Sequence, residues 1–171
     1  MTIAGTAAIH HHRAMLKMIV RYLLLLVAFL SAATATSTPP PGDPARTVRD
    51  FFDAYRSGDV DRMMRLMAAD VAFEDPTFRL RANGREELRK VAASLQTSYR
   101  DITIDVHTMV VSGDRVATEL TISAVVERKD GPTRRIKVRG ASFFRIRDGF
   151  IATWTDYFDF QTFSEQVRSD G

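Results

Sequence analysis

Two carboxylates stand where proton chemistry is plausible: Asp75 in "VAFEDP" and Asp156 in "IATWTDYFDF". Read as a strand, the second stretch puts Ala152, Trp154, Asp156, Phe158 and Phe160 on one face. That face is apolar except for its central acid. A buried acid needs hydrogen-bond partners or a cation, or it turns neutral. Asp156 therefore has two readings, a structural acid bonded to backbone or to an arginine, or a proton donor in an apolar site. Asp75 also has two, the organiser of a turn before Pro76 or a general base.

Other chemistries find less support. The chain has no cysteine, which removes thiol catalysis, disulfides and cysteine metal sites. His107 is the sole histidine beyond the leader. It is a candidate proton carrier but fits a surface or dimer-facing position better, and it has no grouped partners to hold zinc. Alternation places His107, Met109 and Val111 on one face and Ile104, Val106 and Thr108 on the other. Tyr55 and Tyr99 read as rim or core aromatics. Met63, Met64, Met67 and Met109 read as core, with flexible pocket lining the alternative. No glycine-rich phosphate loop or nucleophile elbow is present. No cofactor or metal is expected.

The net charge of +3 belongs to the leader, where Arg13, Lys17 and Arg21 occur without an acid. The rest balances 21 basic against 21 acidic residues, so no nucleic-acid footprint exists. "MLKMIVR", "YLLLLVAFL" and "SAATATS" have the order of a signal peptide, assigned to 1–35 with cleavage after Ala33 or Ala35. Met15 or Met18 is the expected initiator, which leaves "IHHHR" outside the protein proper. The apolar run is shorter than the roughly 20 residues of a bilayer span. Export to the periplasm or medium is expected, with tethering by an uncleaved leader as the alternative. A proline-rich spacer follows at 36–43, then one domain over 44–168.

Asp43-Pro44 starts a first helix, with Val48, Phe51, Phe52 and Tyr55 on one face. Asp59 caps a second helix carrying Met63, Met64, Leu66 and Met67. "VAFEDP" is a brief extended piece, and a third helix runs over about 85–98, burying Leu88, Val91, Ala92 and Leu95. Period two then predicts strands near 101–111, 115–128, 134–147 and 150–160, joined by "SGD", "KDGP" and "RDG" turns. The tip "RKDGPTRR" at 128–135 is expected to be solvated. The fold class is α+β, a curved antiparallel or mixed sheet wrapped around three N-terminal helices.

"FFDAYRSGDVDRMMRLMAADVAFEDP" and "FFRIRDGFIATWTDYFDFQTF" resemble the opening helices and closing hairpin of the nuclear transport factor 2-like, SnoaL-like superfamily. The resemblance spans about residues 45–167 and implies a cone with a deep apolar pocket. It also implies pairing as a homodimer through the outer sheet face, here Thr121, Ser123, Val125, Thr153, Thr155 and Tyr157. "FEDP" matches the motif in which ketosteroid isomerases carry their general base, which falls on Asp75. The oxyanion-hole positions of those enzymes fall on Phe51 and Ser142, so neither strong donor is retained. "WTDYFD" is similar to the closing segment of limonene epoxide hydrolases, whose first triad aspartate falls on Asp156. The other two triad positions fall on Leu120 and Ile122, and the water-positioning pair on Phe73 and Asp75.

The resemblance implies a small hydrophobic ligand, with Asp75 and Asp156 as acid–base residues. Phe51, Phe73, Leu120, Ile122, Ser142, Trp154 and Phe158 would line its pocket. Two carboxylates in one apolar pocket separate in pKa, which supplies one base and one acid near neutral pH. Two functions stay open: an isomerase, cyclase, dehydratase or hydrolase of that kind, or a non-catalytic ligand-binding or dimerisation module. If an acid faces solvent or a salt bridge, the module is favoured.

Overall fold

The computed structural model describes residues 42–127 and 131–168. The proposed signal peptide, most of the spacer and the tip of the 128–135 hairpin lie outside the described residues. Helix α1, Pro44–Arg56, starts as its sequence dictates. Asp43 accepts a hydrogen bond from the Ala45 amide at 3.0 Å, and proline occupies the first turn. Val48, Phe51 and Phe52 are buried along one face, with Tyr55 half-buried at its end. Helix α2, Val60–Arg65, is capped by Asp59, which accepts from the Arg62 amide at 2.8 Å.

The chain leaves α2 earlier than the methionine spacing suggests. Leu66 is its C-cap, and Met67 opens strand β1, Met67–Asp75. The Leu66 carbonyl accepts from the Ile151 amide, so sheet pairing takes over from helix there. After a turn over 76–79, β2 spans Leu80–Asn83 and pairs back on β1. Helix α3, Arg85–Ser98, buries Leu88 and Ala92, leaving Val91 and Leu95 half-buried.

Strands β3 (Tyr99–Ser112), β4 (Arg115–Val126), β5 (Arg134–Arg147) and β6 (Phe150–Phe158) follow as an antiparallel meander. The sheet is mixed, not a pure meander, because β1 lies parallel to β6, giving the order β2-β1-β6-β5-β4-β3. It is curved and unclosed, with the helices supplying the rest of the core. A break in register between Val106 and Thr108 alters the alternation expected for β3. Met109 packs against the core while His107 bonds Thr121 Oγ1 at 2.8 Å on the opposite face.

The last strand stops before residue 160. Asp159 caps a fourth helix, α4 (Phe160–Arg168), accepting from the Thr162 amide at 3.0 Å. The core centres on Phe51, whose ring lies 4.8 Å from Trp154 and 5.6 Å from Phe144. Met63, Met64 and Met67 are buried in that core, and none of them borders the cavity described next. Among the described residues, no helix is long and apolar enough to cross a membrane.

Candidate functional site

Register fixes which side chains meet. Cross-strand pairing aligns Thr118, Ser142 and Asp156 in one row across β4, β5 and β6. The parallel pairs Phe73–Trp154 and Glu74–Thr155 bring Asp75, one residue further, level with Asp156 on the neighbouring strand. Adjacent strands lie about 5 Å apart, so the two carboxylates are sheet neighbours. Both are buried, at 4% and 6% exposure. Both border one cavity of about 290 Å³.

All the residues proposed from sequence as ligand-binding border it too: Phe51, Phe73, Leu120, Ile122, Ser142, Trp154 and Phe158. The lining is graded. Phe51, Phe73, Leu120, Ser142 and Trp154 are buried at the base, while Phe78, Leu80, Leu95, Tyr99, Ile102, Phe158 and Phe163 are half-buried. Among the described residues, no lysine, arginine or histidine contributes to the lining.

Asp156 receives two hydrogen bonds, from Ser142 Oγ at 2.5 Å and from Trp154 Nε1 at 2.6 Å. Both fall on Oδ1, which leaves Oδ2 with no hydrogen-bond partner among the described residues. Ser142 is thus spent on the acid and is no free donor to a ligand. Burial pushes Asp156 up to about 7; the Ser142 and Trp154 bonds oppose the rise, and the charge of Asp75 adds to it. Asp75 accepts from the Phe78 amide at 3.1 Å. Burial also raises its pKa, while bonds from Phe78 and Thr77 hold the rise back.

The two arginines that could have neutralised Asp156 do not reach it. Arg139 pairs with Glu119, and Arg145 pairs with Asp114 at 2.8 Å. They share a register row with Thr121 and Thr153 respectively, on the face away from Asp156. The turn reading of Asp75 is met by its bond to Phe78, yet the same side chain borders the cavity. Structure and site coincide there.

Tyr55 and Tyr99, read from sequence as rim or core aromatics, stand at the cavity. Neither phenol oxygen has a hydrogen-bond partner among the described residues. Tyr55 stands edge-on to Trp154, at 6.4 Å and 85°. Burial raises its pKa far above the usual phenol value, with Asp156, Tyr99 and Asp75 adding to it. Burial followed by the charge of Asp75 raises Tyr99. Position i+4 from Phe51 on α1 was the available signal for Tyr55, since it shares the face that carries Phe51. Tyr99 gave none, because the register of β3 decides where it points. Among the described residues no group of three or more histidines and acids could hold a metal ion.

The chain belongs to the SnoaL-like domain family, whose model matches residues 48–154. It is similar in structure to an epoxide hydrolase of the limonene epoxide hydrolase type from Mycobacterium tuberculosis. That match has 25% identity and a TM-score of 0.61, covering 73% of this chain and 90% of that one. A candidate polyketide cyclase from Xanthomonas campestris matches at 28% identity and a TM-score of 0.62, covering 72% and 96%. A protein of ketosteroid isomerase-like fold from Catenulispora acidiphila, in complex with trimethylamine, matches at 22% identity. Its TM-score is 0.64, with 70% and 90% covered. No curated protein matches the sequence. The architecture is the nuclear transport factor 2-like cone of these neighbours.

Proposed function

We propose that this protein is a cofactor-independent acid–base enzyme that isomerises or cyclises a small, mostly apolar molecule carrying an oxygen. The observation that carries the reading is the pair Asp75 and Asp156, side by side in one apolar cavity with no cation from the described residues on either. Asp75, whose carboxylate accepts from the Phe78 amide, takes a proton from a ligand carbon. Asp156, kept protonated by burial and with Oδ2 free, gives one to the ligand. The proton then passes back from Asp75 to Asp156 through the cavity. Phenol hydroxyls of Tyr55 and Tyr99 hold the ligand oxygen as charge builds on it.

Within the family's chemistries, the lining favours proton transfer over epoxide opening of the known type. The positions matching the two other triad residues are Leu120 and Ile122, which are apolar lining. Names of neighbouring proteins support cyclase and epoxide hydrolase activities equally. The same apolar replacements favour a second reading, a binding module that keeps the pocket without turnover. Export by the leader and pairing as a homodimer belong to the proposal as well.

A thermal-shift screen of the domain with apolar ketones, epoxides and sterols finds a ligand by mass action. Each hit is then assayed for conversion with Asp75→Asn and Asp156→Asn. The enzyme reading expects conversion by the native protein and loss of about 100-fold or more in either variant, with binding kept. Binding with no conversion of any hit supports the module.

A further inference from the structure

The rim of the cavity carries an aromatic group that the acids do not use. Phe78 sits in the turn between β1 and β2, its ring 6.1 Å from those of Phe158 and Phe160. The Phe163 ring, from α4, meets it edge-on at 4.9 Å and 76°. These rings come from elements far apart in the chain, and polar clips hold each side. Thr77 Oγ1 accepts from the Phe158 amide at 3.0 Å, and the Phe78 amide donates to Asp75 at 3.1 Å. Gln166 bonds the Lys137 backbone twice, at 2.6 and 3.0 Å.

Helix α4 is shallowly packed on the sheet. None of its residues is fully buried. Phe163 and Val167 rest half-buried on Ala124, Val126, Ile136 and Val138. Segments with few buried apolar contacts open at low cost in free energy. Phe51, Phe73 and Trp154, all buried, belong to the same lining, so aromatic faces bound the cavity in its buried part as well as where it is half-exposed.

We propose that Phe78 and Phe163 form the gate of the cavity and set its specificity. The 76–79 turn and α4 part to admit a flat, apolar ring system, and closing packs both rings on its outer end. Closing also returns the Phe78 amide to Asp75, so the carboxylate regains the same hydrogen bond after each entry. The inference rests on the cavity being a ligand site, and not on acid–base turnover. Pairing of aromatic rings stabilises the closed form beyond the area it buries, enough to slow a gate several-fold.

Stopped-flow binding of the neutral fused-ring fluorophore N-phenyl-1-naphthylamine tests it, with Phe163→Ala and Phe78→Ala as variants. Association and dissociation rates should both rise, by up to about tenfold, while affinity changes less. A rise in dissociation with unchanged association makes the rings mere contacts and overturns the gate. A second arm needs no ligand. Hydrogen exchange at the Phe78 and Phe158 amides should quicken in Phe163→Ala by a similar factor, with the Trp154 amide unaffected. Unchanged exchange at both amides overturns the gate whatever the fluorophore does. Failure of the native protein to bind the fluorophore, with exchange quickened, counts against the ligand class and leaves the gate standing.

Discussion

Asp156 carries both of its hydrogen bonds on one oxygen, and this makes asparagine a close replacement for its protonated form. The amide oxygen can accept from Ser142 and Trp154, while the amide nitrogen takes the place of the protonated Oδ2. The native carboxyl is neutral in both folded and unfolded chains below about pH 4. Between there and about 7 the unfolded chain ionises first, so stability falls as pH rises and levels off above about 7. Asp156→Asn should therefore gain on the native protein by about 1–3 kcal/mol between pH 4.5 and 8. Urea unfolding at the two pH values measures it; a variant that loses ground at pH 8 would mean a paired, charged Asp156. The acid's place among aromatics was legible from period two alone. Its partner Ser142 was not, because cross-strand register is absent from a single strand's pattern.

Strands were legible where alternation was long, as in β4 and β5, and elusive where neighbours decided the matter. β2 has four residues and no periodic signal, so pairing with β1 makes it a strand. α4 was hidden because the aromatic alternation of β6 runs on to Phe160, although Asp159 is a residue type that favours the N-cap and does accept from the Thr162 amide. The same hairpin contains a spacing constraint at Gly140, directly across from Phe158. A Cβ there would lie 2.4 Å from Phe158 Cδ1 and 2.7 Å from the Tyr157 carbonyl oxygen. Gly140→Ala should cost about 1–3 kcal/mol, as overpacking does, and displace Phe158 from the cavity rim. Thermal unfolding and fluorophore affinity check this together; an unchanged melting temperature would show that the strands yield freely.

At the scale of the molecule, the outer sheet face differs from the one read in the sequence. Thr121 and Val125 are already buried within one chain and offer little to a partner. Phe143 and Tyr157, 48% and 49% exposed, touch edge-on at 6.1 Å, and Val110 is 58% exposed in the same register row as Phe143. The ion pairs Arg139–Glu119 and Arg145–Asp114 flank that apolar centre. An apolar centre with a charged rim suits a self-complementary two-fold interface. We expect a homodimer on this face, and Phe143→Glu with Tyr157→Glu should yield a folded monomer. Light scattering at tens of micromolar with circular dichroism decides it, and a native monomer would remove the proposal.

The central claim, that Asp75 and Asp156 act on each other across one mostly apolar cavity, has a direct measure in carbon-13 NMR titration of the aspartate carboxyls. The account predicts a midpoint for Asp156 near 7, and a lower one in Asp75→Asn, where the neighbouring charge is gone. A midpoint for Asp156 near 4, or one indifferent to Asp75→Asn, would contradict it.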